Sequence, residues 1–237
     1  MGEFGQAFFE AVRLLVALDP ELIGIVLLSL QVSLTAVLIA TVLALPLGAA
    51  LAIARFPGRG IPVAVLNALM GLPPVVVGLA VYLLLSRAGP LGDLGLLFTP
   101  GAMVFAQAIL VLPLIAALTR QTVEDLAEEY HDSLAALGAD RFRMLPTLVW
   151  EGRFSLVTAV LAGFGRAVAE VGAVIIVGGN IAGVTRVMTT AITLETAKGN
   201  LGLALGLGAI LVGLTIGIKQ TPRCRDGVCT RSRCVSD

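Results

Sequence analysis

Charge is scarce in this 237-residue chain: Asp, Glu, Lys and Arg make up only 14% of it. A water-facing exterior of a small domain needs about 25–35%, so an ordinary soluble fold is excluded. The 16 basic and 16 acidic side chains balance to a formal net charge of zero, and no basic stripe lies outside the tail. That excludes an electrostatic nucleic-acid surface. Cysteine is absent before residue 224; Cys224, Cys229 and Cys234 all lie in the last fourteen residues. Their spacing is not that of paired zinc ligands, which leaves free thiols, a disulfide or ligation in the tail. The single histidine, His131, has no second histidine or nearby cysteine to ligate a metal with it, and no metal site is expected. No phosphate-binding Gly-x-x-x-x-Gly-Lys-Ser/Thr loop occurs, and no nucleophile–base constellation is visible. The chain is therefore not expected to be an enzyme or to bind a cofactor of its own. Its start lacks a basic region, apolar run and small-residue cleavage site, so no cleaved signal peptide is expected.

What is abundant is apolar sequence: 57% of residues are hydrophobic and the mean hydropathy is +0.98. The class is an all-α integral membrane protein. A bilayer core of about 30 Å needs a helix of about 20 apolar residues, and five segments qualify: 22–54, 60–86, 94–119, 154–177 and 199–218. Pro46 is expected to kink or end the first; Pro73, Pro74 and Pro113 mark bends in the second and third. Residues 4–18 are apolar but carry Glu10 and Arg13 and suit an amphipathic helix lying in the membrane interface. Residues 1–218 form one membrane domain. Beyond Lys219 the composition turns to Arg, Cys, Ser and Thr, so 219–237 reads as a disordered tail, and the abrupt change also fits an altered reading frame.

Orientation follows from Lys and Arg. With the N-terminus outside, the inner segments carry Arg55, Arg59, Arg120, Arg141, Arg143, Arg153, Lys219, Arg223, Arg225, Arg231 and Arg233, against Arg13, Arg87, Arg186 and Lys198 outside. This bias puts the 120–153 loop and the C-terminus in the cytoplasm.

That loop holds an acidic start at Glu124, Asp125, Glu128 and Glu129, then Leu126, Tyr130, Leu134 and Leu137 at helical spacing, then Gly138. The glycine suits a left-handed helix end. The run DSLAALGADRFR (132–143) resembles the cytoplasmic loop of membrane-embedded subunits of ATP-binding-cassette importers, whose pattern is acid-Ala-Ala-x-x-x-Gly. Asp132 stands at the family's Glu position, and Ser133 and Leu134 at its two alanines. Gly138 matches, and Trp150-Glu151 stands where the family often has Leu-Pro. The resemblance implies that Asp132, Ser133, Leu134, Leu137, Gly138, Ala139 and Arg141 dock on an ATPase subunit.

A second resemblance lies in 163–181, GFGRAVAEVGAVIIVGGNI, which is similar to the matching segment of molybdate and tungstate permeases; the following 185–196, TRVMTTAITLET, is nearest the tungstate branch. Arg166 and Glu170 are four apart and would share a helix face. By helical rise Arg166 would lie about 18 Å into a span starting at Phe154. Charges there must pair or face a polar cavity, so the two read either as an ion pair fixing helix packing or as part of the pathway or gate. Gly163, Gly165 and Gly172 suit close helix packing. Gly178, Gly179, Asn180, Arg186, Thr189 and Thr190, with Thr185, form an outer polar segment that meets an oxyanion or is simply solvated. Ser29, Gln31, Ser33 and Thr35 in the first span and Gln107 in the third are candidates for hydrogen bonds between helices.

The resemblance as a whole implies a type I importer permease fold and a second copy of the chain enclosing one pathway. It further implies two ATPase subunits using ATP and Mg, an extracytoplasmic oxyanion-binding protein, and a location in a prokaryotic inner membrane. The implied cargo is tungstate, with molybdate and sulfate as alternatives. A stand-alone channel or ion-coupled carrier is the rival class, though no internal repeat favours it.

Overall fold

The computed structural model describes residues 20–54, 57–130 and 141–220, and these are helical almost throughout. The helices are α1 (Pro20–Ile53), α2 (Gly60–Met70), α3 (Pro74–Leu85), α4 (Pro100–Glu129), α5 (Arg141–Glu151), α6 (Arg153–Val168), α7 (Gly172–Gly178), α8 (Met188–Ala197) and α9 (Leu201–Gln220). A 3-10 turn, Gly92–Leu94, joins α3 to α4. The N-terminal segment read as interfacial, the tail after Gln220 and its cysteines lie outside the described residues.

The faces of α1 show why this is a membrane protein. Val32, Ala36, Ala40 and Ala44 are buried, yet the opposite side carries Leu27, Leu34, Leu38 and Val42, all more than half exposed. A helix apolar all round belongs in lipid rather than at a water boundary. Inside lipid, close packing holds helices together in place of the hydrophobic effect, and small residues allow it. Ala36, Ala40, Ala44, Gly48 and Ala52 recur every four residues on α1 and are all buried. At Gly48 a Cβ would overlap the Ala116 carbonyl oxygen and lie 2.8 Å from the Thr119 Cβ. Two backbones thus meet where no side chain fits. On the other partner, α4, the side chains of Ile115, Ala116 and Val111 are sealed in the same cluster.

α4 is the central column. It packs against α1, α2, α3, α5, α6 and α7. Thr99 caps its start, accepting from the Ala102 amide, and Pro100 occupies the first turn, where its missing N–H costs nothing.

Four sequence expectations need correction. Pro46 does not end the first helix: α1 runs unbroken for 34 residues, roughly 50 Å by helical rise. One missing amide there is outweighed by the contact with α4. The second segment is not a continuous span, because α2 and α3 meet at 100°. Leu72 and Pro73 each precede a proline and are pushed away from helical geometry; Pro73 is extended and Pro74 restarts the helix. The acidic residues 124–129 do not begin a separate loop helix but complete α4, which is 30 residues long. The fourth segment breaks after Val168 and resumes at Gly172.

Among the described residues two helices, α1 and α4, are each long and apolar enough to cross a bilayer. Four spans result when the bent pairs Gly60–Met70 with Pro74–Leu85 and Met144–Glu151 with Arg153–Val168 each count as one, and α9 adds a shorter apolar helix.

Candidate functional site

The break between α6 and α7 brings together three buried polar side chains, Gln107, Glu170 and Thr189. No strong helix breaker lies between Arg166 and Val171, so the interruption is imposed from outside. On one side, Gln107 of α4 donates from Nε2 to the Ala167 carbonyl at 3.1 Å. Beyond the break, the Glu170 carboxylate turns back to accept from the Ala173 amide at 3.1 Å, which satisfies a free N–H at the start of α7. Thr189 of α8 donates to the Glu170 carbonyl at 2.8 Å. Two other elements, α4 and α8, and one local bond therefore hold the ends of the broken segment. α7 itself is clamped on α3: a Cβ at Gly78 would lie 2.7 Å from the Ala173 Cα.

This arrangement removes the expected intrahelical pair. Glu170 is not on α6; it is buried and bonded to backbone, while Arg166 sits in the last turn of α6, half-buried. Among the described residues no ion pair joins them. A guanidinium in the last turn also complements the helix dipole.

After α7 the chain turns through exposed residues 181–184 and is largely buried again from Thr185. Gly179 takes φ 70° and Asn180 φ 51°, a left-handed pair that reverses the chain. A Cβ at Gly179 would meet the Phe98 ring at 2.8 Å, so glycine serves both the turn and the close approach. Fully buried Thr185 donates to the Gly178 carbonyl and accepts from the Ile181 amide at 2.9 Å. Thr190 bonds the amide and carbonyl of Val187 at 3.1 Å each. Asn180 donates to the Thr190 carbonyl at 3.4 Å, and its Oδ1 is buried without a partner. Hydroxyls expected to face outward are thus engaged with backbone. Arg186 stands 3.5 Å from Glu21.

Of the glycines read as packing positions, Gly163 and Gly172 are crowded by Ile115 and Val75, whereas Gly165 has nothing within 4 Å. Ser29 of α1 accepts from the Met188 amide at 2.7 Å, fixing the start of α8. At the far end of α8, Glu195 pairs with Lys198 at 2.9 Å and accepts from Asn200 at 3.2 Å. The Lys198 hydrogen bond holds the Glu195 carboxyl below its ordinary 4.5, against the opposing effect of burial.

At the opposite end of α4 lies a group that the sequence reading passed over. Glu124 accepts from Arg59 on one carboxylate oxygen and from Arg120 on the other. Arg59 also donates to the Leu51 and Ala52 carbonyls at 3.0 and 3.1 Å, near the end of α1. On the other side α5 docks by Leu148 against Ala49, Ala52, Ile53 and Val123. Its available signals were a basic residue just after α1 and an acid four residues after Arg120. Of the loop residues assigned to ATPase docking, Arg141 opens α5. Asp132, Ser133, Leu134, Leu137, Gly138 and Ala139 lie outside the described residues.

No family model matches the chain. Relatives with established names do. The chain is 43% identical over 202 residues to a probable anion ABC transporter permease protein of Haloferax volcanii, covering 83% of this chain and 87% of that one. It is 40% identical over 218 residues to the tungstate uptake system permease protein TupB of Peptoclostridium acidaminophilum, covering 92% and 96%. It is 30% identical over 196 residues to the molybdenum transport system permease protein ModB of Escherichia coli, covering 78% and 85%. With likeness at this level along nearly the whole length, the chain belongs to the family of ABC transporter permease subunits.

Proposed function

We propose that this chain is the membrane-embedded permease of an ATP-driven tungstate importer. The observation that carries the reading is the 40% identity to a tungstate uptake permease over 92% of the chain. Molybdate is the second candidate cargo and sulfate the third. The ATP is hydrolysed by two partner ATPase subunits, since the sequence holds no phosphate-binding glycine loop. An extracytoplasmic binding protein delivers the anion, and a second copy of the chain completes the pathway. The complex sits in a prokaryotic plasma membrane with the N-terminus of this chain outside, which the Lys and Arg bias supports.

The geometry suggests how the parts divide the work. The cytoplasmic loop around Gly138, flanked by α4 and α5, receives the movement of the ATPase. The α6–α7 break is the flexible point of the pathway, because its ends rest on two other elements, α4 and α8, through single hydrogen bonds. Arg166, free of Glu170, lowers the barrier for a divalent oxyanion without binding it deeply. Asn180 and Arg186, each with a buried polar atom lacking a partner, belong to the outer gate with Gly178, Gly179, Thr189 and Thr190. Switching between outward and inward states requires that the ATPase and the loaded binding protein favour different states.

The test is ATPase activity of the reconstituted complex with tungstate-loaded binding protein, for wild type and Gly138→Asp. Stimulation in wild type that disappears in the variant supports the reading. Stimulation by molybdate- or sulfate-loaded protein alone changes the cargo, and failure of any ATPase subunit to associate with wild type refutes the importer.

A further inference from the structure

Glu124 occupies an unusual position among the charges of this chain. Each of its carboxylate oxygens holds a different guanidinium, Arg59 on one side and Arg120 on the other. Arg120 lies one turn earlier on the same helix, but Arg59 belongs to the connection after α1 and reaches back to two carbonyls at the end of that helix. One carboxylate therefore ties α4 to the end of α1. Only an arginine can make this joint: its planar fork serves the Leu51 and Ala52 carbonyls and the carboxylate at once, whereas an ammonium is a point charge.

The place matters as much as the bonds. About one helical turn beyond Glu124, α4 ends at Glu129, and the chain enters the 131–140 segment before returning as α5. The returning helix packs Leu148 against Ala49, Ala52 and Ile53 of α1 and Val123 of α4. The end of α1 is thus gripped by an apolar contact with α5 and by an ionic contact with α4. Apolar contacts tolerate sliding and rotation; a two-pronged carboxylate between two guanidinium groups fixes direction. Slightly deeper, Gly48 brings α1 and α4 to backbone contact. A movement entering at the loop then turns α1 and α4 together about that contact when the joint is intact.

We propose that Glu124, held by Arg59 and Arg120, is a positioning residue for energy coupling: it makes α1 follow α4 when the loop between α4 and α5 is displaced. The proposal rests on the importer reading. It differs from a stabilising role in a measurable way. The three side chains keep 17–31% exposure, so water still screens the pairs, and the ionic joint is worth less to stability than a fully buried pair. A residue of small structural value and large transmission value separates transport from both stability and assembly.

The experiment uses the whole complex in proteoliposomes with tungstate-loaded binding protein, and reads tungstate accumulated per ATP hydrolysed. Glu124→Gln keeps the shape and removes the charge; Arg59→Lys keeps the charge and removes the fork. Both should lower tungstate per ATP about fivefold or more, the scale of a coupling free energy. Tm should move by no more than roughly 2–4 °C, and the ATPase subunit should still co-purify in wild-type ratio. The double variant should be no worse than either single one, as for residues acting through one joint. An unchanged transport-to-ATP ratio in both variants overturns the proposal. So does a loss of transport that only tracks lost assembly or lowered Tm, which marks a structural contact. Absence of ATP-dependent uptake in wild type instead overturns the importer reading, and this proposal with it.

Discussion

Adding one methyl group at two different glycines isolates the packing that holds the pathway helices. Gly78 lies within α3, where a Cβ would stand 2.7 Å from the Ala173 Cα, 3.2 Å from its carbonyl oxygen and 3.3 Å from its Cβ. Backbone cannot swing aside as a side chain does, so α3 and α7 must separate in Gly78→Ala. Overpacking of this kind costs about 1–3 kcal/mol. Gly165 lies within α6 and has open space around it. Both substitutions gain about 1 kcal/mol from alanine's better helix propensity. That gain is common to the pair and cancels in the comparison. Gly78→Ala should therefore be less stable than Gly165→Ala by about 1–3 kcal/mol, a Tm separation of roughly 2–12 °C at this chain length. Thermal unfolding of the two purified variants in one detergent, alongside wild type, measures it. Equal Tm values, or Gly165→Ala as the less stable, would refute the reasoning that α3 and α7 touch through backbone.

Thr185→Val strips the Gly178 carbonyl and the Ile181 amide of their shared partner in a buried site, and should cost about 1–3 kcal/mol, read as a lower Tm. Ser29→Ala removes the acceptor of the Met188 amide and should cost about 0.6–2 kcal/mol, the range for polar contacts between membrane helices. Glu195 has a depressed folded-state pKa, so its contribution is complete above its ordinary 4.5 and declines as the pH falls below that value. Glu195→Gln should therefore flatten part of the acid decline in Tm while lowering Tm at neutral pH; an unchanged acid limb would contradict the pairing with Lys198. Single cysteines placed at Asp93 and at Pro57 should be labelled by an impermeant reagent only from outside and only from inside, respectively, if the Lys and Arg bias sets the orientation.

How legible all this was in the sequence varies by region. The apolar runs gave the membrane class and the limits of α1, because charge is excluded from lipid whatever the tertiary structure; α4 starts six residues later and ends ten residues later than the 94–119 run. The bend between α2 and α3 was marked by Pro73 and Pro74, though not its size. Pro46 shows the opposite error: local chemistry allows the helix to end there, and α1 continues through it along the Ala36–Gly48 stripe. That stripe of small residues every fourth position was readable and carries the α1–α4 contact. The α6–α7 break was not readable, since Ala167, Val168, Ala169 and Glu170 include no helix breaker. The interruption comes from Gln107 and Thr189, which lie 60 and 19 residues from their acceptors. Spacing alone therefore paired Arg166 with Glu170, while the fold parts them. Of the polar residues read as bonding between helices, Gln107 and Ser29 do so, while Thr35 donates to the Gln31 carbonyl within α1. The joint at Glu124 joins residues 65 positions apart, a separation that no local pattern conveys.

The central claim is that this chain passes tungstate only as part of an ATP-driven complex. The most direct measurement is the tungsten content of proteoliposomes holding this chain and its ATPase subunit, supplied with binding protein and tungstate, with ATP present or absent on the cytoplasmic side. The account predicts accumulation that requires ATP, the ATPase subunit and loaded binding protein together, and that exceeds accumulation of molybdate and sulfate offered in the same way. Uptake by this chain alone, without the ATPase subunit, would contradict it and make the chain a stand-alone carrier.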